Sequence, residues 1–276
     1  MKSTIKMLSL LLGLALCTPL FMSCGDDDKD VTNVPNSSAF TANDLVGTWT
    51  IASQDMTTTY VFTKNKLTVS YDNQVSHEGE YQLKDDILSY NTTYQNYNTT
   101  TGQYEQVETT VKVKIGLLYN KTVLIWKDVM QNDNNQDYEF SMLLFKQGAN
   151  ITATNNDIQG NWHWYMRGDV SYVRAGLKIE GNNFDLIITP WGQRYTGTYT
   201  YANGYMILNT QNGYTTREEG SGDGWGEGDL NPETLEGNWN TLDRDRWTIW
   251  EKMPFVANGT EAYGIVANLP ALFTKK

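Results

Sequence analysis

"DLVGTW" at residues 44–49 returns as "DIQGNW" at residues 157–162, an offset of 113. Further echoes keep the same order. "NKLTVSYDNQVSHEGEY" (65–81) aligns with "NNFDLIITPWGQRYTGTY" (182–199), where Gly79-Glu80-Tyr81 meets Gly197-Thr198-Tyr199 at an offset of 118. "LIWKD" (124–128) aligns with "TIWEK" (248–252), pairing Trp126 with Trp250, and Leu144-Phe145 aligns with Leu272-Phe273. The offset only grows along the chain. Loop insertions do this to a duplicated fold, whereas chance matches scatter in both directions. "LEGNWN" (235–240) imitates the opening motif a third time. Too few residues follow it for another unit, so it reads as an ordinary strand with a glycine at its start.

Within each copy the apolar period is two. "KLTVSYDN" puts Leu67, Val69 and Tyr71 on one face, and "TVKVKIGL" puts Val111, Val113 and Ile115 on one face with lysines on the other. No long stretch carries apolar residues at three-and-four spacing, so the chain reads as all-β. Each copy, 44–148 and 157–276, spans a little over 100 residues. At about 6 residues per strand that is enough for roughly eight strands, which close a small antiparallel barrel and remove its edges.

The Gly-x-Trp at the head of each copy, Gly47-Thr48-Trp49 and Gly160-Asn161-Trp162, followed by a meander of strands, resembles the lipocalin-like domains of Bacteroidetes lipoproteins. The resemblance covers residues 44 to 276. It implies two tandem barrels in which Gly47 and Gly160 let the chain turn into the barrel while Trp49 and Trp162 plug the closed end. It also implies a basic residue near the last strand packed on each indole. Lys146 and Lys275 are the candidates, standing where the superfamily usually has arginine.

Upstream, residues 1–23 read as a secretory signal: Lys2 and Lys6, then an apolar run shorter than the roughly 20 residues that span a bilayer. The run ends at Ser23-Cys24, which resembles a bacterial lipobox with Phe21 and Ser23 at positions that more often hold Leu and Gly or Ala. The resemblance implies lipidation of Cys24. The acidic stretch Asp26, Asp27, Asp28, Lys29 and Asp30 resembles the export signal that sends Bacteroidetes lipoproteins to the outer face of the outer membrane. The same charges also suit a solvated spacer repelled by anionic headgroups. Residues 24–43 as a whole, polar and aperiodic, read as a flexible tether.

The formal net charge is −11, and without residues 1–23 the balance is 19 basic against 32 acidic side chains. Such a surface repels phosphate backbones, so nucleic acid is not an expected partner. Cys17 and Cys24 are the only cysteines, which leaves no disulfide framework and no thiol for redox work in the mature chain.

Catalytic signatures are missing too. His77 and His163 are the only histidines and fall at non-equivalent places, so no His-based metal site or duplicated base is available. No Gly-x-Ser-x-Gly elbow and no phosphate-cradling glycine loop occur. Glu218, Glu219, Asp223, Glu227 and Asp229 crowd a glycine-rich stretch within 217–237. Their oxygens suit calcium, but the spacing is neither that of an EF-hand nor that of a nonapeptide repeat, and the stretch reads as a solvated insertion. A glycosidase pair needs two rigidly spaced carboxylates, which such a loop does not offer. We therefore expect no enzyme, no cofactor and no metal.

Binding remains, and the aromatics point to it unevenly. Seven of the nine tryptophans lie in the second copy. Trp164 shares a strand face with Trp162; Trp191 ("TPWGQ") and Trp225 ("DGWGE") sit among turn residues; Trp247 lies near the end of the insertion. These four are candidate ligand contacts, with plain core packing as the alternative. In the first copy a long hairpin turning near Thr100-Thr101-Gly102 spreads Tyr90, Tyr94, Tyr97 and Tyr104 along polar strands, and Tyr94 and Tyr97 are candidates there. The expected function is a surface-anchored binding protein taking a small apolar ligand or a glycan, with the second barrel as its site. The alternative is an envelope interaction protein with solid barrels that contacts another protein.

Overall fold

The computed structural model describes residues 34–52, 57–98, 102–131, 137–166, 169–216, 231, 233–266 and 269–276. The signal segment, Cys24, the acidic stretch 26–30 and Trp225 lie outside the described residues.

The chain folds into two closed eight-stranded antiparallel barrels of lipocalin-like meander form. In the first, a short helix α1 (Ala42–Leu45) leads into β1 (Gly47–Ala52), β2 (Thr57–Phe62), β3 (Lys66–Tyr71) and β4 (Gln74–Lys84). Next come β5 (Ile87–Asn98), β6 (Gln103–Leu118), β7 (Val123–Gln131) and β8 (Asp137–Lys146), and β8 returns to β1. The second barrel comprises β9 (Gly160–Met166), β10 (Asp169–Glu180), β11 (Asn183–Ile188), β12 (Gln193–Ala202) and β13 (Tyr205–Thr215). After a two-residue strand, β14 (Asn240–Thr241), it finishes with β15 (Lys252–Asn258), β16 (Glu261–Val266) and β17 (Leu269–Lys275), and β17 closes on β9. Tight turns fall where Asp, Asn and Gly tolerate positive φ: Asp72 (46°) and Asn73 (67°), then Asn203 (51°) and Gly204 (77°). Leu67, Val69, Val111, Val113 and Ile115 all face the first core, as alternation predicts.

The two opening motifs build the same device. Thr41 and Thr154 donate backbone N–H to the Asp44 and Asp157 carboxylates at 2.8 and 2.6 Å. Trp49 Nε1 donates to Leu45 O at 2.7 Å, and Trp162 Nε1 to Ile158 O at 2.8 Å, with both indoles fully buried. Lys146 pairs with Trp49 across the seam and holds its ammonium 5.2 Å from the ring centre; Lys275 does the same to Trp162 at 5.1 Å. Both lysines therefore take the expected place on the indole. Gly47 and Gly160 have φ of 134° and 128°, and a methyl group there would stand 3.1 and 2.7 Å from the stem of the same lysine.

Alignment of the copies holds in part. Gly79 and Gly197 are equivalent, since they pair with the buried Leu67 and Phe184. The pairing of Trp126 with Trp250 does not hold. Counting back from the Lys146/Lys275 seam, the counterpart of Trp126 is Gly264 on β16, while Trp250 precedes β15. The same count sets Leu144 against Phe273, one residue away from the alignment of the sequences. That single step reverses the face of every side chain: Leu144 and Phe273 fill their barrels, and Phe145 points out to the seam between them. Nor is 235–240 an ordinary strand. Only Asn240 and Thr241 form β14, and Leu235 leans on the outer face of Gly176.

An apolar seam joins the barrels. Leu118, Val123, Ile125, Leu143 and Phe145 of the first meet Val256 and Tyr263 of the second, with Ile151 and Ala153 from the connection. Lys127 is fully buried there and pairs with Glu261 at 3.1 Å, while Tyr263 Oη donates to the same carboxylate. Residues 34–40 belong to this body as well. Val34 is buried against Gly116, Ser38 N donates to Leu117 O at 3.0 Å, and the Asn36 amide donates to Asn258 at 3.2 Å. Residues 34–40, read from the sequence as part of the tether, are thus packed against the folded body.

Lys127→Ala leaves the Glu261 charge at the seam without its partner and is expected to lose about 3–5 kcal/mol in urea denaturation. Replacing the pair together, Lys127→Met with Glu261→Leu, is expected to recover most of that loss. Gly160→Ala is expected to lose about 1–3 kcal/mol. That exceeds the loss from Gly148→Ala, where φ is also positive but a methyl group meets nothing within 4 Å.

Candidate functional site

The second barrel is sealed at the end opposite Trp162. After β14 the chain folds over its mouth and drives Trp247 inward. The indole lies on Gly213, where a methyl group would stand 2.3 Å from Nε1, and edge-on to Tyr195 at 6.3 Å. Its Nε1 donates to Leu242 O at 3.0 Å. Tyr195 ties the lid down: its Oη donates to Gln193 Oε1 at 2.8 Å and accepts from Thr248 N at 3.1 Å. Trp191, carried by a one-turn 3-10 segment (Thr189–Trp191) after β11, packs half-buried on the same core. Trp164 does so too, between Phe273 at 6.3 Å and the Arg174 guanidinium at 4.7 Å. Arg174 sits at a bulge that Thr189 Oγ1 fixes by bonding Val173 O at 2.6 Å and Arg174 O at 3.0 Å.

The space remaining among Leu186, Ile188, Trp191, Ile249, Trp250 and Met253 is about 20 Å³. That holds about one water molecule, against roughly 300 Å³ or more for a pocket that takes a drug-sized ligand. Trp164, Trp191 and Trp247 are therefore wall and lid.

The first barrel presents a different inner surface. Trp126 on β7 is fully buried, with Tyr60 at 5.5 Å and Tyr90 at 6.0 Å, and His77 stands 5.0 Å from Tyr90. Asp128, two residues beyond Trp126 and so on the same face, is buried with its carboxylate near Tyr90. Tyr60 Oη reaches Met142 Sδ at 3.8 Å. Two buried polar atoms of this group have no hydrogen-bond partner: Trp126 Nε1 and His77 Nε2. Tyr71, His77 and Tyr90 are only half-buried, so the layer meets solvent at the end opposite Trp49. Burial pushes the Tyr90 hydroxyl far above the ordinary tyrosine range, with Tyr71 and Asp128 adding to the shift. It also holds His77 below the usual imidazole value, against a smaller opposite pull from Glu78.

Tyr94 and Tyr97 lie outside the barrel wall. Pairing of β4 with β5 stops at Tyr81 and Tyr90, and pairing of β6 with β7 stops at Lys114 and Lys127. From Asn91–Thr110 to Asn98–Gln103 the hairpin continues for eight pairs past both of those points, roughly 27 Å at strand rise. Tyr94 pairs with Val107 and Tyr97 with Tyr104, whose side chain is 70% exposed. The structure thus separates the candidates into a sealed second mouth and a protruding hairpin. The cluster of Tyr60, His77, Tyr90, Trp126 and Asp128 was not singled out from the sequence. Its one local signal is the i, i+2 spacing of Trp126 and Asp128 and of His77 and Gly79 on inward faces. Among the described residues no group of three or more His, Cys, Asp or Glu stands together as a metal site.

A histidine whose folded-state pKa lies below its unfolded value favours the neutral ring on folding. The stability tied to it is complete above about pH 6.5 and is lost as the pH falls through that value and then the lower folded one. His77 and His163 are both lowered, each mainly by burial. Thermal midpoints are expected to fall between pH 7.5 and 5, with a shallower fall in His77→Gln and in His163→Gln.

Comparison of the chain with protein-family models, curated proteins and solved structures found no match.

Proposed function

We propose that the chain is a lipid-anchored, non-catalytic binding protein of the bacterial cell surface that takes a small ligand at the mouth of its first barrel, with the second barrel as a solid base. One observation carries the choice of barrel: Trp126 Nε1 and His77 Nε2 lie buried and unpartnered on the inner face of the first barrel, whereas the second barrel's mouth is stoppered by Trp247 and its unpartnered His163 Nδ1 and Tyr165 Oη belong to the strand face opposite Trp162. Buried donors and acceptors without partners are uncommon in folded proteins, because each costs about 1–3 kcal/mol, and a ligand that satisfies them recovers that cost. The lipobox resemblance at Cys24 and the acidic run after it support the address at the outer face of the outer membrane. A second reading, contact with another envelope protein, draws on the hairpin at 91–110, which runs eight pairs past the last pairs that join it to β4 and β7.

The nine indole N–H resonances of the ¹⁵N-labelled mature chain with Cys24→Ala, assigned by Trp→Phe variants, give the test. Adding fatty acids and host or plant glycans is expected to move the Trp126 resonance; movement confined to tryptophans of the second barrel would overturn the reading. Cys24→Ala in cells is expected to release the protein from the membrane fraction, while the parent chain is cleaved by protease added to whole cells.

A further inference from the structure

Building on the binding reading above, we infer that the first barrel's mouth recognises a neutral hydroxylated ring, such as the terminal sugar of a glycan, through Trp126 and His77. The inference rests on what each polar atom of the layer requires. Trp126 Nε1 is a donor only, and it is fully buried with nothing to accept its proton. His77 Nε2 takes or gives one hydrogen bond according to tautomer, and it too is unmatched. A hydroxyl both donates and accepts, so a ring bearing several serves the two atoms whichever tautomer His77 holds.

The other ligand classes fail on the same atoms. An acyl chain buries both without a partner, and each orphan group carries its full desolvation penalty. A quaternary or primary ammonium suits the faces of Tyr60, Tyr90 and Trp126, but it has no lone pair for the Trp126 N–H. An anion meets the Asp128 carboxylate on the same inner face, while the neighbouring Lys127 points the other way, into the seam with Glu261. Tyr60 and Tyr90 both pack on Trp126, tilted 56° and 76° to it, which presents ring faces and edges to the apolar side of a sugar ring. The half-buried His77, Tyr71 and Tyr90 are the layer's contact with solvent, and because Trp126 is fully buried beneath them a ligand shifts these rings to reach its Nε1.

The experiment uses the mature chain with Cys24→Ala and three kinds of probe: methyl glycosides of glucose, galactose, mannose and N-acetylglucosamine; dodecanoate; and tetramethylammonium. At least one glycoside is expected to move the Trp126 indole proton downfield saturably, as formation of a hydrogen bond does. By calorimetry, Trp126→Phe and His77→Phe are each expected to weaken that glycoside about tenfold or more. The eight other indole resonances report whether the Trp126→Phe chain is folded, and His77→Phe carries the test if it is not. If dodecanoate or tetramethylammonium moves the Trp126 resonance and no glycoside does, the hydroxylated-ring assignment is overturned while the barrel-mouth reading stands. If no probe moves it, or if a glycoside binds with unchanged affinity in both variants, the assignment fails; silence from Trp126 toward every probe and every member of the wider ligand screen overturns the barrel-mouth reading as well.

Discussion

Each barrel is closed at one end by a tryptophan held from three sides, and the rest of the fold depends on that clamp. A turn under the barrel, helical in the first copy, accepts the indole N–H through one carbonyl. A lysine from the last strand lies over the ring and, in the first barrel, also donates to Asp44 O at 3.1 Å. The lysine stem occupies the space that a side chain at the opening glycine would need. The first and last strands of the ring are therefore joined by packing, by a cation over an aromatic face and by backbone pairing at the same residue. A closed ring has no free edge, so its strands need no other cover. With no disulfide in either barrel, this closure and the apolar cores set the stability.

Much of this was legible in the sequence because it is local or periodic. Gly-x-Trp and the alternation of "KLTVSY" and "TVKVKIGL" depend on residues a few positions apart, and the period-two pattern survives any loop length. Equivalences further along were harder to read. Trp126 was set against Trp250 because both sit in a short aromatic-plus-charge context, but the long insertion before β15 displaces the register, and the true counterpart is a glycine. The ring clusters were hidden for a different reason. Tyr60, His77, Tyr90 and Trp126 come from four strands across 66 positions of chain, and only closure of the barrel brings them together. The turn-rich surroundings of Trp191 argue for a ring free to contact a ligand, and nothing near Trp247 in the sequence announces a lid. A turn can equally deliver a side chain inward when a glycine such as Gly213 makes room.

The two copies have diverged in how they fill equivalent space. Where the first barrel has Trp126, the second has Gly264, a position crowded by Phe255 and the carbonyl of Pro254. The volume of that indole is supplied in the second barrel by Phe255 and Phe273, packed edge to face at 5.4 Å, and by the lid tryptophan. All are apolar or satisfied: Trp247 has Leu242 O, and Tyr195 has Gln193 and Thr248. In the first barrel the corresponding volume is filled by a ring whose N–H is left over, beside an imidazole whose nitrogen is left over. The second copy also has unmatched buried atoms, His163 Nδ1, Tyr165 Oη and Thr216 Oγ1, but His163 and Tyr165 stand on the strand face opposite Trp162 and Trp164. A duplicated fold that stoppers one mouth and leaves an indole N–H and an imidazole nitrogen unmatched inside the other has divided support from recognition, on the reading proposed above.

The seam between the barrels makes that division mechanical. Lys127 and Trp126 are adjacent on β7, so one residue faces the second barrel and the next faces the inside of the first. The strand that bears the orphan indole is thereby fixed from behind by a buried ion pair and by Val256 and Tyr263. Burying an ion pair adds little net stability, since desolvation consumes most of the attraction, but it tolerates few alternative geometries. The N-terminal strap from Val34 to Phe40 crosses the same region and enters the first barrel at its closed end, through the turn that Asp44 ties to Lys121 at 3.0 Å. Some ten residues separate Cys24 from Val34, a reach of at most about 35 Å. A lipid at Cys24 would therefore hold the body close to the membrane by its seam, while the strap meets the closed end of the first barrel and the 91–110 hairpin marks the opposite, open end. Recognition would then occur at the end of the barrel that the anchor leaves free.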